Sequence, residues 1–156
     1  MTNHTLQKQM IQTGAALCGI AVALGAFASH TLKDRISESS FETLQTAVRY
    51  HFYHAFAILL LGAMLRKLNE RYARYAFQLF LWGIIIFSGS LYILATKEFT
   101  FNDKMNFLGG LTPFGGIAFI SGWFLIAYKG YNSSNGSEGN HHHHRSHHSA
   151  NESEVK

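Results

Sequence analysis

Four stretches of this chain contain no Asp, Glu, Lys or Arg, and they constrain its fold more than any other feature. They cover residues 9–32, 50–65, 75–96 and 105–128, with lengths of 24, 16, 22 and 24 residues. A helix of about 20 apolar residues matches the hydrocarbon thickness of a bilayer. Charged residues make up 14% of the 156-residue chain, against about 25% in soluble domains. The pattern predicts an integral membrane protein and argues against a soluble globular enzyme.

The sequence predicts an all-α fold, an integral membrane four-helix bundle in residues 1–131 followed by a disordered His-rich tail in residues 132–156. We expect disorder in the tail because it consists largely of polar residues and glycine, with almost nothing to bury. The four membrane spans are expected at about 9–31, 50–68, 75–96 and 113–128.

Two helix starts carry capping signals. Helix 2 is expected to begin at a capping box formed by Ser39 and Glu42, ahead of its membrane portion. Helix 4 is expected to begin with Thr112 as its N-cap and Pro113 in the first helical position. The glycines at 109–110 are therefore expected to break the apolar run that precedes this helix.

The first span resembles a secretory signal in one respect, because Ala26 and Ala28 precede Ser29 as they would at a cleavage site. We favour a retained span, since the uncharged run is longer than a usual signal core. Two rows of small residues also recur every four positions, which would let neighbouring helices approach closely. These rows are Ala15, Gly19 and Ala23, and Ala21, Gly25 and Ser29.

The cations lie beside the ends of the spans, so the net charge of +4 indicates membrane anchoring and orientation, and no nucleic-acid partner is expected. Residues 66–74 are expected to form the loop between helices 2 and 3, and they contain four cations. Because cytoplasmic loops are enriched in Lys and Arg, we expect this loop and both termini in the cytoplasm. The expected partners are the lipid bilayer and either a second copy or another membrane protein.

The polar residues of the spans gather at one membrane face. With four spans, the ends of helices 1 and 3 and the starts of helices 2 and 4 share that face. Polar side chains are costly in a membrane and tend to face the bundle interior, so we predict a polar cluster there. Its candidate members are His30, Tyr50, His54, Ser88, Ser90, Tyr92 and Thr112. His51 lies at the same face, and pointing towards the membrane interface is the alternative for it.

Four motifs in this order resemble a known family. They are GAFASHTLK at 25–33, YHFYHA at 50–55, FSGSLY at 87–92, and TPFGG at 112–116 followed by Gly122 and Trp123. The chain is similar over residues 10–129 to the small membrane proteins called domain of unknown function 423, or uncharacterised protein family 0382, which are related to transmembrane protein 256. The resemblance implies a multi-pass protein of the bacterial cell (inner) membrane with a retained first span. It supplies no substrate and no catalytic residues.

The candidate cluster has alternative interpretations. His54, together with Tyr50 and His30, suits a metal, haem or proton-relay site because imidazole serves all three. The spans contain no carboxylate to complete a metal site, so we favour a hydrogen-bonded network that fixes helix register. The residues at 88–90 and the glycines at 115–116 are interpreted as packing contacts in preference to a polar path or an anion site.

The tail contains six weak candidates for a metal site, namely His141, His142, His143, His144, His147 and His148. The chain has no Ser-His-acid set, phosphate-binding loop or dinucleotide-binding motif, so we expect neither an enzyme nor a cofactor. The leading hypothesis is a non-enzymatic accessory or assembly protein of the membrane. The alternatives are a small oligomeric channel or carrier that uses the polar cluster, and a metal- or haem-binding membrane protein.

Overall fold

A computed structural model describes residues 3–97 and 107–130 of the chain. Its helices are α1 (Asn3–Phe27), α2 (Glu38–Met64), α3 (Glu70–Gly83), α4 (Gly89–Ala95) and α5 (Phe107–Lys129). A π-helical turn, Ala28–Leu32, extends α1, and a second one, Ile84–Ser88, joins α3 to α4 in one continuous rod. A short 3-10 turn, Leu65–Lys67, follows α2.

The described residues form four continuous helical rods that are long and apolar enough to cross a membrane. These are His4–Leu32, Glu38–Lys67, Glu70–Ala95 and Gly109–Lys129. The predicted all-α four-helix membrane fold is confirmed. The predicted disordered tail at 132–156, with its six candidate histidines, lies outside the described residues.

Helix α2 begins two residues before the predicted capping box. Ser37 has an extended backbone (φ −60°, ψ 155°) and its hydroxyl accepts a hydrogen bond from the Ser40 amide at 3.3 Å. Ile36 and Phe41, on either side of this N-cap, pack in one apolar cluster. Such a staple fixes where the chain enters a helix. The prediction that Ser39 caps the helix was therefore wrong. Because Ile36 is buried, the serine that follows it, Ser37, occupies the N-cap position.

Most of the predicted 66–74 loop is helical. Asn69 caps α3 by accepting a hydrogen bond from the Arg71 amide at 3.2 Å. Glu70 and Arg74, one turn apart, form an ion pair of 2.9 Å. The prediction ended the helix at the edge of the uncharged run, but charged residues in a first turn are compatible with helix when a cap and an i,i+4 pair support them.

The prediction that α5 starts at Thr112 was also wrong. The helix begins at Phe107, so Pro113 lies inside it and the glycines at 109–110 do not break it. A proline leaves the carbonyl four residues earlier without its helical partner. That carbonyl belongs to Gly109, which is exposed near the start of the helix, so the unpaired group is not buried.

Glycines set the close contacts between helices. A Cβ on Gly14 of α1 would lie 2.6 Å from the backbone nitrogen of Leu59 in α2. The predicted row through Gly19 makes no such approach, since no described atom outside its own helix backbone and chain neighbours lies within 4 Å of a Cβ built there. Gly25 of the second row would meet only the side chain of Val48, at 3.2 Å. Neither glycine of the predicted rows makes the backbone contact that Gly14 makes.

A reciprocal pair of contacts holds α3 against α5. The ring of Phe119 in α5 covers Gly83 of α3, and the ring of Phe80 in α3 covers Gly122 of α5. Phe80 and Phe119 are 0% and 3% exposed and belong to the main apolar core with residues of α1 and α2. This interlock fixes the rotation of α5, and therefore the direction in which its polar side chains point.

Candidate functional site

His54 is the most completely engaged polar side chain of the bundle. It is 5% exposed and its ring stacks on that of Phe119, with centroids 3.4 Å apart and planes within 9°. Its Nδ1 lies 2.8 Å from the Tyr50 carbonyl oxygen one turn earlier in α2. Its Nε2 lies 3.2 Å from the indole Nε1 of Trp123 in α5. The imidazole therefore connects two helices.

The two partners of His54 define its protonation. A carbonyl only accepts and an indole N–H only donates, so Nδ1 carries the proton and Nε2 accepts. A neutral ring in this tautomer makes both hydrogen bonds. A protonated ring has no acceptor nitrogen and would lose the hydrogen bond from Trp123. Both nitrogens are thus occupied within the protein, and a metal or haem iron would have to displace Trp123 to reach Nε2.

Tyr50 lies at the edge of this group and not inside it. Its side chain is 40% exposed, and its ring packs beside Phe87, with centroids 4.8 Å apart. Its link to His54 is through the backbone carbonyl and through ring stacking at 6.1 Å. The tyrosine hydroxyl plays no part in the hydrogen bonds that join the helices at this site.

His51 belongs to the site, and the alternative that it points to the membrane interface does not hold. It is 4% exposed and its Nδ1 lies 3.1 Å from the hydroxyl of Tyr92 in α4. Residues 51, 54, 58 and 61 have helical spacing and form one buried face of α2. The other faces of this span are also mostly apolar, so the spacing alone did not single this face out. Trp123 was not predicted as a site residue. In the sequence it stood out only as part of the fourth family motif.

The candidate serines differ from each other. Ser90 is 4% exposed, and its hydroxyl lies 2.9 Å from both the Phe87 carbonyl and the hydroxyl of Thr112 in α5. Because the carbonyl accepts from Ser90, the proton of the second bond comes from Thr112. Ser88 is fully buried, and its hydroxyl has no hydrogen-bond partner among the residues that the structure describes.

His30 does not join the other candidates. It lies in the π-helical turn at the end of α1 and is exposed, whereas His54 is buried against α3 and α5. In the described ranges, 3–97 and 107–130, no three His, Cys, Asp or Glu side chains come close enough together to hold a metal ion. The geometry thus separates the two histidines that the metal and haem hypotheses require to act jointly.

The glycines at 115–116 make a packing contact. A Cβ on Gly115 would lie 2.5 Å from the backbone nitrogen of Phe87, so α5 touches the π-helical turn Ile84–Ser88 backbone to backbone. Pro113, two residues earlier, is already inside the helix. An anion site made of free amides at a helix N-terminus does not fit this position, because the amides here are in the helix interior.

The bond between His51 and Tyr92 yields a test that needs no knowledge of function. Tyr92→Phe leaves His51 without its bond, and we expect it to lower the free energy of unfolding in mixed micelles by about 0.5–1.5 kcal/mol. Ser88→Ala is the matched control, since it removes a hydroxyl without a described partner. It should be neutral or stabilising. A larger loss for Ser88→Ala than for Tyr92→Phe would contradict this account.

Comparison with known proteins gives one family. A family model described as "Protein of unknown function (DUF423)" matches residues 24–116. The UPF0382 membrane protein YwdK of Bacillus subtilis (strain 168) is 38% identical over 120 residues, which cover 76% of this chain and 93% of the relative.

Two further relatives match over similar lengths. The UPF0382 membrane protein SH2409 of Staphylococcus haemolyticus is 35% identical over 121 residues, which cover 76% of this chain and 92% of the relative. A UPF0382 membrane protein of Haemophilus influenzae is 34% identical over 129 residues, which cover 82% and 98%. No solved structure gives a significant match.

Proposed function

The chain belongs to the DUF423 family, whose relatives are named UPF0382 membrane proteins, and from this premise we propose that it is a non-enzymatic accessory or assembly protein of the bacterial cell membrane. It is a multi-pass membrane protein of an uncharacterised family. The accessory role, the particular membrane and the orientation are the parts that we propose.

One observation carries the proposal: the polar atoms of His54 bind other parts of the same protein. Both ring nitrogens are engaged, by the Tyr50 carbonyl and by Trp123. At the opposite half of the bundle, the side-chain amide of Gln7 donates to the Gly62 carbonyl at 3.2 Å. Buried polar groups that are satisfied in this way specify a rigid arrangement of helices. A rigid bundle held together in this way suits a partner that acts through its surface.

The orientation rests on the cations near α2 and α3. Arg66, Lys67 and Arg71 lie at the junction between these helices. The Asn69 amide donates to the Gly130 carbonyl at 2.8 Å, so the end of α5 with Lys129 lies at the same membrane face. Enrichment of cations at this face supports a cytoplasmic location for it. Both chain termini would then lie in the cytoplasm as well.

The test is a purification of the full chain in mild detergent, followed by mass spectrometry and an absorption spectrum of the same sample. We expect one dominant membrane-protein partner at a fixed ratio and no visible absorption band. A haem band or a stoichiometric metal in protein lacking the tail from residue 132 onward would contradict the proposal. So would isolation of the protein without any enriched partner.

A small oligomeric channel or carrier is the second candidate, and one observation favours it. The Nε2 atom of His51 and the hydroxyl of Ser88 are buried without a hydrogen-bond partner in the described part of the chain. Such atoms are able to hold a water or a passing solute. Proton or solute flux in liposomes that falls with Ser88→Ala, in a variant of unchanged stability, would favour this candidate over the first.

A further inference from the structure

A groove opens between α1 and α2 at the membrane face where α1 ends. Its deeper part has a volume of about 360 Å³ and is lined by Gly25, Ala28, Ser29, Gln45, Val48 and Arg49. Its outer part, of about 440 Å³, is lined by Lys33, Glu38, Phe41, Glu42 and Gln45. Gln45 lines both parts, so the two adjoin at this residue, one among small and apolar residues and the other at the charged rim.

The shape of the groove follows from how α1 and α2 pack. At Gly14 the two helices approach backbone to backbone. At Gly25, three turns further along α1, the nearest atom of α2 to a built Cβ belongs to the Val48 side chain. The π-helical turn Ala28–Leu32 then widens α1. Small residues at positions 25, 28 and 29 therefore leave a cleft that no side chain within 3–97 or 107–130 fills.

The depth of Arg49 is defined by the sequence of α2. It directly precedes the uncharged run 50–65, and Arg66 follows that run. Seventeen residues of helix rise about 25 Å, slightly less than the hydrocarbon core of about 30 Å. Arg49 thus lies at the edge of the hydrocarbon, where a long cationic side chain reaches the lipid headgroups. It is exposed and has no hydrogen bond or ion pair with any described residue.

The charges along the groove are ordered. Arg49 and Glu42 are two turns apart on α2, about 10 Å along the axis, with Gln45 between them. A guanidinium binds a phosphate through paired hydrogen bonds, and the Gln45 amide and the Ser29 hydroxyl add further donors. Further out, Glu38 and Glu42 outnumber Lys33, so the outer part is acidic on balance and a carboxylate accepts from a primary ammonium. This order, phosphate group inside and ammonium outside, is that of a phosphoethanolamine headgroup.

We propose that this groove binds one phospholipid with a phosphoethanolamine headgroup. Arg49 holds the phosphate, Glu42 holds the ammonium, and the acyl chains run past Gly25 towards the middle of the bilayer along α1. A phosphoglycerol lipid carries the phosphate without the ammonium. Its net negative charge is therefore not neutralised, and Glu42 and Glu38 repel it. A phosphocholine lipid carries a quaternary ammonium that donates no hydrogen bond to Glu42. The inference is independent of the accessory role proposed above.

The test uses the full chain, delipidated in mild detergent and then given phosphatidylethanolamine, phosphatidylglycerol or phosphatidylcholine, with bound lipid counted by native mass spectrometry. We expect one phosphatidylethanolamine per chain, retained in preference to the other two. Arg49→Gln should weaken its retention about tenfold. Glu42→Gln should weaken phosphatidylethanolamine but not phosphatidylglycerol, so the preference between them is lost.

Arg66→Gln is the matched control, because Arg66 is exposed at the other end of the same span and should leave retention unchanged. Circular dichroism and size-exclusion profiles establish whether each variant is folded. If Arg49→Gln does not fold, Glu42→Gln still tests the proposal. Equal retention of the three lipids would overturn the proposal. An equal loss with Arg49→Gln and Arg66→Gln would overturn it too, since the binding would then be a general effect of surface cations.

Discussion

Replacement of His54 by alanine is expected to lower the free energy of unfolding by about 2–5 kcal/mol. The imidazole is 5% exposed, stacks at 3.4 Å on Phe119 and lies 5.5 Å, between ring centroids, from Phe80. Alanine leaves a cavity at this junction of α2, α3 and α5 and removes the partner of Trp123. Van der Waals packing is a main source of helix association in a bilayer, so the loss of ring contacts dominates the effect.

Titration with SDS in mixed micelles, followed by tryptophan fluorescence and circular dichroism, measures this effect. His54→Phe keeps a ring on Phe119 but loses the hydrogen bonds to both the Tyr50 carbonyl and Trp123. Tyr50 lies inside α2, so its carbonyl keeps a helical partner. The cost should therefore be mainly that of the Trp123 bond, about 0.5–1.5 kcal/mol. His30→Ala is the control for a histidine exposed at the end of α1 and should change stability by less than about 0.5 kcal/mol. If His54→Ala were as mild as His30→Ala, the structural role assigned to His54 would be wrong.

The membrane architecture could be predicted because the bilayer imposes it. Backbone groups in the hydrocarbon must be satisfied within each segment, so long uncharged apolar runs are helices. The helix ends could not be read from the same runs, because charge marks the edge of the membrane and not the end of a helix. Ser37 and Asn69 cap α2 and α3 in charged or polar sequence, outside the runs that defined the spans.

Pro113 illustrates a second limit. Threonine followed by proline is a common helix start, yet here the helix begins at Phe107. The preference of a Thr-Pro pair for a helix start does not by itself determine where the helix begins. Gly115 and Gly122 pack α5 tightly against the α3–α4 rod, and this packing extends along the rod to Thr112, which bonds Ser90. A Cβ built on Gly109 or Gly110 would meet nothing within 4 Å, so these contacts explain the position of Thr112 inside the helix and not the extra turn before it.

The sequence predicts the depth at which the site residues lie in the membrane. It does not predict how each helix is rotated, and therefore which of these side chains point inward. Alternation of the spans places residues at the same depth, and the structure does bring Ser90 and Thr112 into contact. It also turns His51 inward to Tyr92 and leaves His30 exposed. The direction of a side chain depends on how its helix is rotated, and that is set by contacts such as Phe119 on Gly83. No pattern along a single helix of mostly apolar residues specifies those contacts.

Gly115→Ala is expected to be the most damaging small substitution in α5. The added Cβ would lie 2.5 Å from the nitrogen and 2.8 Å from the Cα of Phe87, both of them backbone atoms that no side-chain rotation can move. Helix α5 must shift away from the π-helical turn Ile84–Ser88, and overpacking of this kind costs about 1–3 kcal/mol. The same shift strains the bond between Ser90 and Thr112.

Gly116→Ala is the matched control in the same helix. Its Cβ would lie 3.9 Å from the nearest atom of the Phe87 ring, an ordinary contact. Because glycine inside a helix is less stable than alanine by about 0.5–1 kcal/mol, this variant should be neutral or slightly stabilised. The two adjacent substitutions thus have opposite expected signs in an SDS titration. Equal behaviour would mean that α5 does not touch the π-helical turn through Gly115, and the polar contacts between α2, α4 and α5 would then need another explanation.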